Sequence, residues 1–133
     1  MNVRSDLFLV RLNAIISALD ADDAAGSITI YSGAQPEPGG ELSGNLALAV
    51  WTLQQPSGEL TEATLNLLVA NAAVLAINSG LGVWGRAADG AGLWVMDAPA
   101  GTEEDENAVF VLDDPQIFAG GTITLTAAAI TEL

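Results

Sequence analysis

Helical spacing of apolar residues is cleanest at the start of the chain. Phe8, Leu12, Ile15, Ile16 and Leu19 fall on one face of the segment Asn2 to Ala25. Ser5 or Asp6 is placed to serve as N-cap and Gly26 as a stop. Asp20, Asp22 and Asp23 crowd the C-terminal end, where the macrodipole disfavours negative charge, so the helix is predicted to end between Ala18 and Ala21. Its single apolar stripe requires a partner, either the body of the domain or a neighbouring chain.

From Ser27 the pattern changes to short apolar runs separated by Gly, Pro, Asp and Asn, as in all-β sandwiches and barrels. Ser27 to Ser32 is β-branched and aromatic, and the Pro- and Gly-rich loop from Gly33 to Gly44 breaks it. Asn45 to Leu53 is apolar on both faces, which predicts a central strand buried on two sides, or on one side and at an interface. Leu81 to Ala87 and Ala91 to Met96 flank Asp89-Gly90, a dipeptide suited to a tight hairpin turn. Trp84 and Arg86 share one face of the first of these strands, and Trp94 and Met96 share a face of the second. This predicts a cross-strand cluster of Trp84 with Trp94 or Met96, with Arg86 stacked on an indole or paired with an acid. Ala108 to Leu112 forms another strand. Thr122 to Thr131 alternates with period two, giving a half-buried strand with a threonine-lined outer face.

Thr61 to Asn78 fits two templates. Leu65, Leu68, Val69, Ala72, Ala73 and Ala76 recur at helical spacing, while Leu65, Leu67 and Val69 alternate, so a helix and two short strands fit equally. No linker or internal repeat divides the chain. The expectation is a single domain over 1–133, mainly β: a helical segment at 2–25 followed by an antiparallel, jelly-roll-like β-sandwich at 27–133, the jelly-roll detail resting on the resemblance described below.

Composition narrows the functions. The chain has 133 residues, the usual size of one domain, and size scaling gives a folded surface of roughly 6,500 Å². Seventeen acids face three arginines, with no lysine, histidine or cysteine, for a net charge of -14. Imidazole bases, Ser-His triads, His and thiolate metal sites, Schiff bases and the P-loop lysine are thereby removed. Nucleic acid and anionic membranes would repel such a chain. At 50% hydrophobic residues and a mean hydropathy of +0.41 it is too apolar for a disordered acidic tail, and the surplus implies apolar surface covered by another subunit or partner. No apolar run reaches membrane-spanning length, and Arg4, Asp6 and Arg11 interrupt the N-terminus in a way no signal peptide would.

The remaining candidates for chemistry are weak. Glu103, Glu104, Asp105 and Glu106, with Asp113 and Asp114 across a hairpin, offer carboxylate oxygens but lack the spacing of a calcium loop, so a solvated acidic loop is expected. The same holds for Asp20, Asp22 and Asp23. Chance carboxylate pairs are guaranteed among seventeen acids, and the Gly80-Gly82 and Gly90-Gly92 pairs open no helix that would cradle phosphate. No catalytic, cofactor or metal residues are assigned. Packing or interface anchors are expected at Arg4, Phe8, Arg11, Trp51, Trp84, Arg86 and Trp94.

The order of segments carries a resemblance. Ala14 to Ala21 leads through a glycine into Ser-Ile-Thr-Ile-Tyr-Ser-Gly (Ser27 to Gly33), then a Pro/Gly loop and an apolar strand. Gly-Val-Trp-Gly-Arg (Gly82 to Arg86) follows with its Asp-Gly turn, and last Ala-Gly-Gly-Thr-Ile-Thr-Leu-Thr (Ala119 to Thr126). This pattern resembles small β-rich virion proteins of tailed bacteriophages, in particular capsid decoration or cement proteins. The resemblance implies a jelly-roll-like or related sandwich that forms a homo-oligomer, dimer or trimer, on the outer capsid surface and clamps neighbouring major capsid protein subunits without catalysis. It also favours strands over Thr61 to Asn78, and it carries over no functional residues. Two other readings remain open: a tail, neck or fibre-associated structural protein, and a small carbohydrate-binding β-sandwich that uses Trp51, Trp84 or Trp94.

Overall fold

Helix α1 spans Ser5–Leu19, and its last residue falls in the predicted window. The computed structural model describes residues 5–21, 24–37, 39–61 and 64–131. The apolar stripe of α1 turns inward: Leu12 and Leu19 are fully buried, and Ile15 and Ile16 pack against them at the edge of the core. Asp20 follows the helix and its Oδ2 accepts the Ser57 backbone N–H at 3.2 Å, which ties the helix end to the body.

Ten strands follow: β1 (Ser27–Tyr31), β2 (Ala47–Thr61), β3 (Thr64–Val69), β4 (Ala73–Leu75), β5 (Gly80–Leu81), β6 (Trp84–Ala88), β7 (Trp94–Gly101), β8 (Phe110–Leu112), β9 (Gln116–Ile117) and β10 (Thr122–Thr131). The chain is thus mainly β with one N-terminal helix, as expected. The main sheet runs β3-β2-β1-β6-β7-β8-β10, and β3 pairs with β10 through Thr64–Thr131 and Ala129–Asn66, so seven strands close into a barrel-like ring. Closure, rather than two facing sheets, is what the pairing establishes. Two features depart from the expected all-antiparallel sandwich. β7 and β8 pair in parallel, Ala100 with Phe110 and Gly101 with Val111, because loop 102–109 leaves the sheet edge and returns at its starting level. The chain of β3 and β4 then runs along one edge of β10, with β8 on the other, so a single long strand serves three partners.

Alternation places the core inside the ring. Ile28 and Ile30 of β1, Ala49, Trp51 and Leu53 of β2, Leu65 and Leu67 of β3, Phe110 and Leu112 of β8, and Ile123 and Leu125 of β10 are buried. Gly85 of β6 also faces inward, where an added Cβ would meet Phe110 and Ile30. The ambiguous stretch is resolved as two strands. In β10 the alternation slips at a bulge between Leu125 and Ala127, which leaves Ala127 exposed and turns Ala128 inward. β2 runs eight residues beyond its predicted end at Leu53. Between Leu53, opposite Val69, and Gly58, opposite Leu67, residues 54–57 leave the ladder, with a cis Gln55-Pro56 bond.

The two ends of the ring are closed differently. At the Ser27 end of β1, Gly26 lies against the Leu19 and Ala88 carbonyls, and α1 covers the opening. At the Tyr31 end, β5 and β9 form a two-stranded ladder, Gly80 with Ile117 and Leu81 with Gln116. Ile117 is buried there, and Gly82 packs close to Ile30, Leu112 and Ile117.

Candidate functional site

The seven expected anchors do not converge on one site. Arg4 lies outside the described residues, and Phe8 is a helical position whose side chain lies outside them. Arg11 sits on the exposed side of α1. Trp51 is fully buried inside the ring, where its Nε1 donates to the Ala72 carbonyl at 2.8 Å, so it is a core residue joined to the β3–β4 connection.

Trp84 and Arg86 do meet, on the outer face of the sheet, and Trp94 reaches only the loop that closes over Arg86. Because Gly85 and Ala87 point inward, Trp84 and Arg86 point outward, opposite Tyr31 and Thr29 of β1. Trp84 is nonetheless fully buried. Its ring stacks on Tyr31 at 4.6 Å between centroids, and the Arg86 guanidinium lies 5.3 Å from the indole centre. Across the ladder, Arg86 Nε and Nη2 donate to Asp97 Oδ1 (2.7 Å) and Oδ2 (3.0 Å), a two-point pairing of fixed geometry. Loop 33–44 closes over this pair: Arg86 Nη2 donates to the Gly40 carbonyl, and the Gly39 N–H donates to Asp97 Oδ2 at 2.9 Å. The Asp97 side chain is 1% exposed and that of Arg86 16%. Hydrogen bonding to Asp97 raises the Arg86 pKa above its ordinary value; burial opposes the rise, and the charges of Asp97 and Tyr31 add to it.

Arg86 was expected to stack on an indole or pair with an acid, and it does both, but the aromatic partner expected for Trp84 is not there. Trp84 pairs with Tyr31 and faces Pro99 across β7. A bulge between Ala87 and Ala88 shifts the register so that Trp94 opposes Ala88 and Met96 opposes Ala87, which puts these two side chains on different faces. Trp94, 40% exposed, instead covers Gly39 of the loop, where an added Cβ would strike the indole. Trp84 Nε1 has no hydrogen-bond partner, as is also true of Asp20 Oδ1 and Ser57 Oγ. This patch is a second small core that straps the Pro/Gly loop to the sheet. Of the three tryptophans, Trp51 and Trp84 present no face to a sugar ring.

A different surface gathers several exposed apolar side chains, although Val10 on α1, Val50 of β2 and Leu93 of the β6–β7 connection are exposed elsewhere. Leu46, Leu75, Ile77, Leu81, Val83 and Phe118 are each exposed by 37% to 67%. All belong to the β5–β9 end of the ring: Ile77 N–H bonds Leu48, Ala119 N–H bonds Ser79 Oγ, and Leu75 stands opposite Thr122. Two grooves flank the β5–β9 ladder. One of about 200 Å³ is lined by Phe118, Ile117, Ile123 and Ala76 with Asp113 and Asp114. The other, of about 410 Å³, is an open trough along Leu81, Val83, Pro99 and Pro115 with Asp105. The sequence carried a signal for this surface. Residues 63–85 and 115–131 contain no charged side chain, in a chain with seventeen acids, and the parts of them around β4, β5, β9 and the start of β10 come together at this end.

The acidic loop lies to one side. Glu103, Glu104 and Asp113 line a further groove of about 410 Å³ with Thr102, Leu112 and Thr126. Asp105 organises the loop, its Oδ1 accepting the Asn107 N–H. Among the described residues, no three of Asp, Glu, His or Cys are grouped to hold a metal ion. Nor is any described helix long and apolar enough to cross a membrane. No protein-family model matches the chain, and comparison with curated proteins and with solved structures gives no match.

Proposed function

We propose that this chain is a non-enzymatic structural protein of a tailed-bacteriophage virion, a decoration or cement protein on the outer capsid surface. It binds the assembled major capsid protein lattice and acts as a homo-oligomer, dimer or trimer, with no nucleic acid, membrane or cofactor involved. The observation that carries this reading is the uneven surface: among the described residues, the β5–β9 end exposes Leu75, Ile77, Leu81 and Phe118, and its grooves are lined by acids and no basic group. Such a body suits a contact protein that must stay soluble at high density and avoid adventitious contact with packaged DNA. Under this reading the closed sheet would be a variant of the jelly-roll-like sandwich that the resemblance implies.

Stabilisation would come by mass action, since a protein that binds only the assembled lattice favours it by the logarithm of its free concentration over its dissociation constant. Copies that bridge adjacent subunits gain further through effective concentration. Cryo-electron microscopy of the native particle tests the assignment. Density for this chain over the shell, in numbers comparable with the major capsid protein, is expected. Density confined to the tail, neck or fibres would replace cement by the tail-associated reading, and absence from the particle would end both.

A further inference from the structure

We propose that the β5–β9 end of the barrel is a docking surface for a partner protein segment in which a large apolar side chain is flanked by Lys or Arg. The proposal rests on the reading of the chain as a binding rather than catalytic protein, and not on its place in a virion.

Three observations specify the occupant. First, the surface is built for apolar contact, with Phe118, Leu75, Ile77 and Leu81 more than half exposed around a ladder whose own Ile117 is buried. Exposed apolar side chains gathered at one end of a domain are a mark of interaction sites. Second, the groove beside Phe118 is about 200 Å³, below the roughly 300–1,000 Å³ of small-molecule sites, and the 410 Å³ trough is within that range but lies open rather than enclosing a ligand, so the surface suits an inserted side chain better than a metabolite.

Third, the charges at the edge have one sign. Asp113 and Asp114 line the smaller groove and Asp105 the trough, with no basic residue on either. The loop holds these carboxylates in place without neutralising them: Asp113 Oδ1 accepts the Asp114 and Thr124 N–H groups, and Asp114 Oδ1 accepts that of Gln116. Each fixed acid favours a cation about one side chain away from the apolar anchor, the arrangement that gives register and steering at interfaces. A second copy of this chain fits poorly. Its net charge is also -14, so two copies repel one another.

The test is an NMR titration of the ¹⁵N-labelled full chain with three capped tetrapeptides: Lys-Phe-Leu-Arg, its acidic twin Glu-Phe-Leu-Glu, and its apolar-deleted twin Lys-Gly-Ser-Arg. The first should shift the amides of Leu81, Gln116, Ile117 and Phe118 at concentrations up to about 5 mM, the range of a single-anchor contact. Its affinity should fall about fivefold in Asp113→Asn/Asp114→Asn, which keeps the loop hydrogen bonds, and on raising salt from about 20 to about 300 mM. Phe118→Ser, a change at an exposed position, should abolish the shifts at the groove, and both twins should bind more weakly. The proposal is overturned if the shifts are absent from this end, if they follow the acidic loop at 103–106 regardless of Phe118, or if the acidic twin binds equally. Shifts at this end that grow with protein concentration alone would assign it to self-association and overturn the heterologous partner. The virion assignment is judged separately by particle density, so failure of either leaves the other standing.

Discussion

Trp84 is buried outside the main core, held between Tyr31, Arg86 and Pro99 on the outer face of the sheet. Truncation there removes a large side chain from a closed site, so Trp84→Ala should cost about 3 to 5 kcal/mol, measured by urea unfolding of the monomer. A loss below about 1 kcal/mol would mean that the ring is not enclosed in solution. Arg86→Met strands the 1%-exposed Asp97 carboxylate with only the Gly39 N–H, and should cost about 3 kcal/mol, whereas Arg86→Lys keeps the charge and loses less. Because folding raises the Arg86 pKa, its contribution is complete below the unfolded value and is lost only as pH rises through the folded one. The gap between Arg86→Met and the parent chain should therefore hold steady as pH is raised from neutral into the mildly alkaline range. Period-two spacing was enough to put Trp84 and Arg86 on one face. It misplaced Trp94 relative to Met96 because a bulge depends on the partner strand, and it missed Tyr31 because the β1–β6 pairing spans more than fifty residues.

The β6–β7 connection shows how an element depends on its neighbours. Asp89-Gly90 was expected to mark a tight turn, but the observed connection runs to Leu93: Asp89 Oδ1 accepts the Ala91 and Leu93 N–H groups, and the positive φ falls on Gly92. Gly90 is required for a different reason, since any Cβ there would collide with the Ala24 carbonyl in the segment leaving α1. Gly92→Ala has open space and pays only for left-handed backbone, about 1 kcal/mol. Gly90→Ala must displace backbone and should cost about 2 to 3 kcal/mol. Thermal unfolding of the two variants side by side checks the order, and a larger loss at Gly92 would refute this account of the turn. The stretch 61–78 makes the same point. Of the alternating set Leu65, Leu67 and Val69, the first two are buried, while in the helical set Ala72 and Ala73 are exposed and Ala76 is buried through its own turn after β4. Local propensity balanced the two, and strand pairing with β2 and β10 decided between them.

At the scale of the molecule, ring closure was not legible, because the β3–β10 seam and the parallel β7–β8 pair join segments whose sequences carry no mark of their partners. Charge segregation was legible as two uncharged stretches, once the fold showed that they meet. A net charge of -14 spread over the rest of a small body destabilises it by self-repulsion, which salt relieves. Between about 10 and about 300 mM NaCl the screening length falls from about 30 Å to below 10 Å, less than the width of the domain, so the unfolding midpoint should rise steadily. Calcium chloride at matched ionic strength separates screening from binding. If Glu103, Glu104 and Asp113 are solvated charges along their groove, sodium and calcium curves should coincide. A further rise in calcium alone, growing with the logarithm of its concentration, would mean that the folded acids hold the ion as a ligand. That result would also make the cation a competitor for the basic partner at the neighbouring Asp113, and peptide affinity would fall with calcium more steeply than with sodium.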